Sequence, residues 1–208
     1  MGLPRFMAGH FRKPHGWFGS LVFGRFMNRI NRKITDETIT LLEIKPQHQV
    51  LEIGFGGGVG LARVAQAVSR GKVSGIDFSP EMVSQAERRL RRQIAEGRMQ
   101  VQFGDVSAIP FPDATFDRVL TINTIYFWPD ALQGMEEIRR VLKDGGRGAV
   151  SIRSGEKMAN YPVTKYDFRL FSSEDVASLM ERVGLRDIRV DHRDRDKWYD
   201  QVVVIGTR

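Results

Sequence analysis

The 208-residue chain predicts an α/β fold: a doubly wound, mostly parallel sheet of seven strands, the last two forming a C-terminal antiparallel hairpin. Three observations predict it. From residue 49 to about residue 152, short apolar runs alternate with amphipathic stretches of helical period, the pattern of a parallel sheet covered on both faces. The first apolar run ends in a glycine-rich loop, Gly54-Phe55-Gly56-Gly57-Gly58-Val59-Gly60, that leads straight into a helix. Near the C-terminus two apolar runs are joined only by the very polar stretch Asp191 to Asp200, which suits a hairpin rather than a crossover.

The elements follow in order. Residues 1–16 carry glycine, proline and scattered charge and read as a tail. From Trp17 to about Leu42, the residues Phe18, Leu21, Val22, Phe26, Met27 and Ile30 recur at three- and four-residue steps, an amphipathic helical stripe with Arg25, Arg29, Arg32 and Lys33 mostly beside it. Thr35-Asp36-Glu37 reads as a fresh start, which divides this stretch into two helices. Strands are expected near 49–54, 72–77, 99–103, 117–122 and 146–152, and helices near 58–69, 80–96 and 130–142. Ser79-Pro80-Glu81 opens the second of those helices. A further helix starts at Ser172-Ser173-Glu174-Asp175 and is stopped by Gly184, before strands at Arg186–Val190 and Gln201–Gly206. The expected organisation is a basic arm with capping helices over 1–45, then one ligand-binding domain over 46–208.

Composition bounds the function. Hydrophobic residues at 41% and charged residues at 27% are ordinary for a soluble globular chain, and the length suits one α/β unit. There is no cysteine, which excludes disulfides, thiolate metal sites and cysteine nucleophiles. His10, His15, His48 and His192 lack metal-ligand spacing, so no metal is expected. The first acidic residue is Asp36, preceded by Arg5, Arg12, Lys13, Arg25, Arg29, Arg32 and Lys33. The remaining 25 Lys/Arg balance 25 Asp/Glu, so the whole net charge of +7 sits on the N-terminal arm. The longest uncharged run there, Pro14 to Gly24, is broken by glycine, lacks a clear cleavage site and is too short to span a bilayer. A cytoplasmic protein is expected, with residues 1–35 available for peripheral contact with anionic membrane.

The glycine loop carries the chemistry. Glycines at 54, 56, 58 and 60 let the backbone approach a ligand closely, and the helix that follows offers free N–H groups. The dinucleotide fingerprint G-x-G-x-x-G fails in both registers, because Val59 and Leu61 stand where its third glycine belongs. What remains, Glu52-x-Gly54-x-Gly56-x-Gly58, resembles the first motif of the class I S-adenosylmethionine-dependent methyltransferases. The resemblance continues through Val73-Ser74-Gly75-Ile76-Asp77, Gly104-Asp105-Val106, Phe116–Asn123 and Leu142-Lys143-Asp144-Gly145-Gly146, the last of which resembles the turn into the fifth strand, about 100 residues in family order. It is closest in pattern to the branch acting on quinone precursors and other small molecules.

That resemblance implies a Rossmann-like methyltransferase fold with S-adenosyl-L-methionine as cofactor. It implies close backbone approach at Gly54, Gly56 and Gly58, and Glu52 serving the amino end of the methionine part. Asp77 would accept from the ribose hydroxyls, Asp105 from the adenine amino group, and the Val106 N–H would donate to a ring nitrogen. Phe78 and Met82 would sandwich the adenine, and Asn123 completes the cofactor set. Because the transferred methyl is already electrophilic, the protein's task is position in a dry pocket, and no compelling general base emerges. Tyr126 and His15 are the catalytic candidates, with His10 and Tyr161 considered for their placement alone.

The acceptor segment is Asn123-Thr124-Ile125-Tyr126-Phe127-Trp128-Pro129-Asp130. Its N-x-x-Y spacing resembles that of amine methyltransferases without their prolines. It equally resembles the N-x-x-H-H of quinone C-methyltransferases, with Tyr126 and Phe127 in place of the histidines. Tyr126 and Trp128 offer ring faces for an apolar or cationic acceptor. Three acceptor classes stay open: a small or amphiphilic organic molecule, a membrane lipid met through the basic arm, and RNA, against which the electroneutral remainder of the chain argues. A non-catalytic binding protein and a nicotinamide oxidoreductase are the rivals from other classes.

Overall fold

A computed structural model describes residues 32–153, 169–193 and 201–208. The expected tail, most of the amphipathic stripe, His10, His15 and Tyr161 lie outside the described residues.

Seven strands form one sheet: β1 (Gln49–Ile53), β2 (Lys72–Asp77), β3 (Met99–Phe103), β4 (Phe116–Ile122), β5 (Leu142–Ile152), β6 (Arg186–His192) and β7 (Val202–Thr207). Their spatial order is β3-β2-β1-β4-β5-β7-β6. The first five pair in parallel, and β7 runs antiparallel between β5 and β6. Among the described residues the helices are α1 (residues 32–41), α2 (Val59–Ala67), α3 (Pro80–Ala95), α4 (Ala131–Val141) and α5 (Ser173–Arg182). Among the described residues no helix is long and apolar enough to cross a membrane.

The sheet has a core on each face. Val50, Leu61, Val64, Val83, Ala86 and Leu90 pack on one side with Leu42, which follows α1. Leu51, Ile53, Met135, Ile138, Val141, Val176 and Met180 pack on the other. The two-residue period of β1 therefore sends Val50 toward α2, and Glu52 shares its face.

Local chemistry fixes the helix starts. Ser79 caps α3 by accepting from the Met82 N–H, with Pro80 at the first turn and Glu81 facing the positive helix end. Asp130 caps α4 through Leu132 N and Gln133 N, and Ser172 with Asp175 forms a capping box for α5.

Two sequence expectations are corrected. Residues 32–34 are already helical, so Thr35-Asp36-Glu37 does not start a helix. Thr35 and Thr38 are buried, Thr38 Oγ1 donates to the Ile34 carbonyl at 2.9 Å, and Asp36 instead takes a two-pronged ion pair from Arg63 of α2. The supposed turn 142–146 belongs to β5: Leu142 pairs with Phe116, and the register resumes at Arg147 opposite Arg118. The interruption is a bulge whose start is held by Lys143 Nζ on the Asp117 carboxylate at 3.0 Å.

Candidate active site

The C-terminal ends of β1, β2 and β4 and the β3–β4 loop surround a cavity of about 340 Å³. Its wall contains Ile53, Gly54 and Gly56 from the first strand and loop, Ile76 to Ser79 and Met82 from the second, Gly104 to Val106 from the third, and Ile122 to Thr124 with Phe127, Trp128 and Pro129 from the fourth. The parallel strands all end at this edge, so their following loops converge where no strand fills the space.

Asp77 organises the glycine loop. Its carboxylate is buried, with Oδ2 accepting from Gly56 N at 2.8 Å and Oδ1 from Ser79 N at 2.9 Å. Burial raises its pKa, and these two backbone donors oppose the rise. The carboxylate is thus fixed in place, and each oxygen keeps a lone pair for a ligand.

Gly54 and Gly56 have φ of +70° and +55° and serve different purposes. A Cβ on Gly54 would run into Thr124 Cγ2 and lie 3.1 Å from Thr124 Cβ, so this glycine lets the β4 loop close down on β1. A Cβ on Gly56 would meet no protein atom within 4 Å, so its open side belongs to the cavity. Gly54→Ala is therefore expected to destabilise the fold by about 2–4 kcal/mol, from backbone strain and overpacking together. Gly56→Ala should cost about 1 kcal/mol of stability and act mainly by obstructing the ligand. Thermal melts and ligand titration of both variants check this; equal melting temperatures would refute the distinction.

Glu52 lies behind the wall rather than on it. A Cβ on Gly60, in the first turn of α2, would collide with its carboxyl group, so the bare helix backbone makes room for this side chain. Glu52 is 4% exposed, and its Oε2 has no hydrogen-bond partner. Burial first, and the Asp77 charge second, push its pKa up to about 8. An unpartnered acid at this position is poised to receive a cationic group.

Of the ten residues expected around the cofactor, Gly54, Gly56, Asp77, Phe78, Met82, Asp105, Val106 and Asn123 line the cavity. Glu52 and Gly58 do not. Gly58 is the left-handed N-cap of α2, where a Cβ would press on Ala86 and Leu90. Asp105 is exposed, and its Oδ1 accepts from Ser107 N at 2.8 Å, a turn that keeps the β3 loop tight.

Of the two catalytic candidates, only Tyr126 lies among the described residues, and it is not on the wall. Its ring is buried and its hydroxyl accepts from Arg153 N at 2.6 Å. Phe127 and Trp128 line the cavity instead, because Ile125–Phe127 is a 3₁₀ turn that shares one side between Thr124 and Phe127. Trp128 Nε1 donates to Thr124 Oγ1 at 3.1 Å, Thr124 bonds Thr121, and Thr121 donates to the Ile53 carbonyl at 3.1 Å. This relay fixes the indole against β1. Sequence reasoning missed Thr124 and Phe127; the aromatic run was visible, but which ring faces inward depends on the turn type. Among the described wall residues only Asp77 and Asp105 carry an ionisable group.

A methyltransferase-domain family pattern matches residues 50–146. The putative methyltransferase YrhH of Bacillus subtilis is 31% identical over 135 residues, 64% of this chain and 74% of that protein. The ubiquinone/menaquinone biosynthesis C-methyltransferase UbiE of Geotalea daltonii is 33% identical over 128 residues, 59% of this chain and 54% of that protein. The crystal structure of a SAM-dependent methyltransferase from Aquifex aeolicus superposes with a TM-score of 0.69 at 25% identity, over 83% of this chain and 88% of that one.

Proposed function

This chain belongs to the S-adenosylmethionine-dependent methyltransferases, and we propose that it methylates a small or amphiphilic organic acceptor presented against the aromatic wall of Phe127 and Trp128. The observation that carries the reading is the composition of the cavity: Asp77, Asp105 and the glycine backbone on one side, and Ile122, Phe127, Trp128 and Pro129 on the other. One side suits a polar nucleoside, the other an apolar or cationic body. The similarity to UbiE, named for C-methylation in quinone biosynthesis, supports an organic acceptor of that general kind.

The residues fit the cofactor. Open space over Gly56 admits a ligand against the backbone, and Asp77 offers lone pairs suited to the two ribose hydroxyls. The unpartnered oxygen of Glu52 supplies the negative charge that the amino end of the methionine part calls for. Asp105 and Val106 lie on the third-strand side, the place for adenine, with Phe78 and Met82 to cover its faces. When bound, S-adenosylmethionine supplies a methyl group on a sulfonium, which needs no further activation. The chain's own work is then to hold the acceptor in line and keep water out, work for which Phe127, Trp128 and the relay behind them provide a rigid wall. Within this reading, residues 46–208 are the catalytic unit and residues 1–45 the basic arm.

The test is a methyl-transfer assay with methyl-labelled cofactor on matched pools: alkylated hydroquinones and aromatic amines, anionic phospholipid vesicles, and total RNA. Label is expected in the small organic pool. Label confined to RNA or phospholipid would overturn the acceptor class. Calorimetric titration with S-adenosylmethionine, S-adenosylhomocysteine and NAD should show saturable binding of the first two alone.

A further inference from the structure

We propose that Gln201, 78 residues downstream of Asn123 and not itself on the cavity wall, is a positioning residue that sets which face of the Asn123 amide the active site sees. The inference rests on the reading of this cavity as the site of methyl transfer.

Asn123 is the first residue beyond β4 and lines the cavity. Its φ of +57° is a left-handed conformation that asparagine tolerates better than other side chains. Its N–H donates to the Ser151 carbonyl of β5 at 2.8 Å, which holds the backbone. The side-chain amide needs its own restraint, because both its ends are polar and either can face the ligand.

Gln201 supplies that restraint. It stands just before β7 and is 1% exposed, where a polar side chain requires partners. Its Nε2 donates to Ser151 Oγ at 2.7 Å and to Asn123 Oδ1 at 3.3 Å. An amide nitrogen has two hydrogens, and these two bonds use both. Asn123 Oδ1 is thereby turned to the hairpin, and Nδ2 is the group Asn123 has left for the cavity. The active site then presents a neutral donor at the end of β4, matched to an oxygen or nitrogen lone pair on the bound ligand. The backbone of Gln201 is held in turn, since its carbonyl accepts from Arg193 N at 2.7 Å across the hairpin. The antiparallel hairpin therefore takes part in the site and does more than complete the sheet.

The experiment has a ligand-free arm and a ligand-bound arm. In ¹⁵N-labelled protein, the Asn123 side-chain amide pair is identified by its loss in Asn123→Ala. In Gln201→Leu that pair is expected to shift and broaden; an unchanged pair would overturn the proposal. In the second arm, S-adenosylhomocysteine is titrated into wild type, Gln201→Leu, Asn123→Ala and the double variant. Gln201→Leu should weaken binding about fivefold, the worth of one hydrogen bond, with no further loss in the Asn123→Ala background. Equal losses in both backgrounds would make Gln201 merely structural. Wild-type protein that binds no S-adenosylhomocysteine would defeat the cofactor assignment, while the amide-pair arm still decides the positioning role. If Gln201→Leu fails to fold, Gln201→Glu keeps the shape, and its carboxyl group should draw Nδ2 toward itself and move the same pair.

Discussion

Asp77→Ala is expected to lower affinity for S-adenosylhomocysteine by at least about 100-fold while leaving the domain folded. Two hydrogen bonds from ribose hydroxyls to an ionised carboxylate are worth roughly 1.5–3 kcal/mol each, and 100-fold corresponds to about 2.7 kcal/mol. The carboxylate also ties down the glycine loop through Gly56 N and the start of α3 through Ser79 N, so its removal loosens the cradle as well as deleting the contact. The fold should survive because burial raises the Asp77 pKa: its charge is a cost to the free protein, offset by two backbone donors. Asp77→Asn should lose most of the affinity too, since an amide turns one N–H toward a backbone donor it cannot satisfy. Calorimetry with parallel thermal melts decides. Affinity within threefold of wild type would remove Asp77 from the site.

Glu52→Gln should separate stability from binding, with a sign that pH exposes. The folded pKa of about 8 stands above the ordinary 4.5, so folding favours the neutral acid. Between those values the folded chain keeps a proton that the unfolded chain has lost. Wild-type stability should therefore fall as pH rises from about 4.5 to about 8 and level off above that. Glutamine cannot ionise, so the variant should be more stable than wild type at pH 8.5, by on the order of 2–4 kcal/mol, and close to it at pH 5. Binding should move the opposite way. The cationic amino end of the cofactor favours the ionised Glu52, so binding to wild type at pH 7 should release a proton and strengthen toward pH 8. The glutamine variant should bind more weakly and show neither effect. Melts at the two pH values and titrations in buffers of different ionisation heat provide the measurement; a wild-type protein that exchanges no proton on binding would refute the role given to Glu52.

Much of the site was legible because it is made by backbone. Positive φ at Gly54 and Gly56, an acid at the end of β2 (Asp77) and one just beyond β3 (Asp105) are demands that single residues advertise. The aromatic segment was legible only as a composition. Tyr126, one of the two expected catalytic candidates, turns its hydroxyl to the Arg153 backbone, and Phe127 faces the cavity, because a single 3₁₀ turn rotates the run. Glu52 was singled out for its place before the loop, but its isolation comes from the bare backbone of Gly60 and the nearness of Asp77 across the sheet. Gln201 left no signal of its own. Nothing local in a glutamine before an apolar strand points to Asn123.

By itself the sequence determined the alternation of strands and helices, the hairpin, the cofactor family and the residues at the strand ends, because each depends on periodicity or on the conformational limits of nearby residues. Only the tertiary structure decided the placement of the hairpin. The apolar strand Val202–Thr207 is buried and lies inside the sheet beside β5, and the polar Arg186–His192 takes the exposed edge, so the later strand is the inner one. That insertion brings Gln201 to Asn123, and it pairs residues 78 positions apart, a contact set by burial of the whole sheet and not by any local preference.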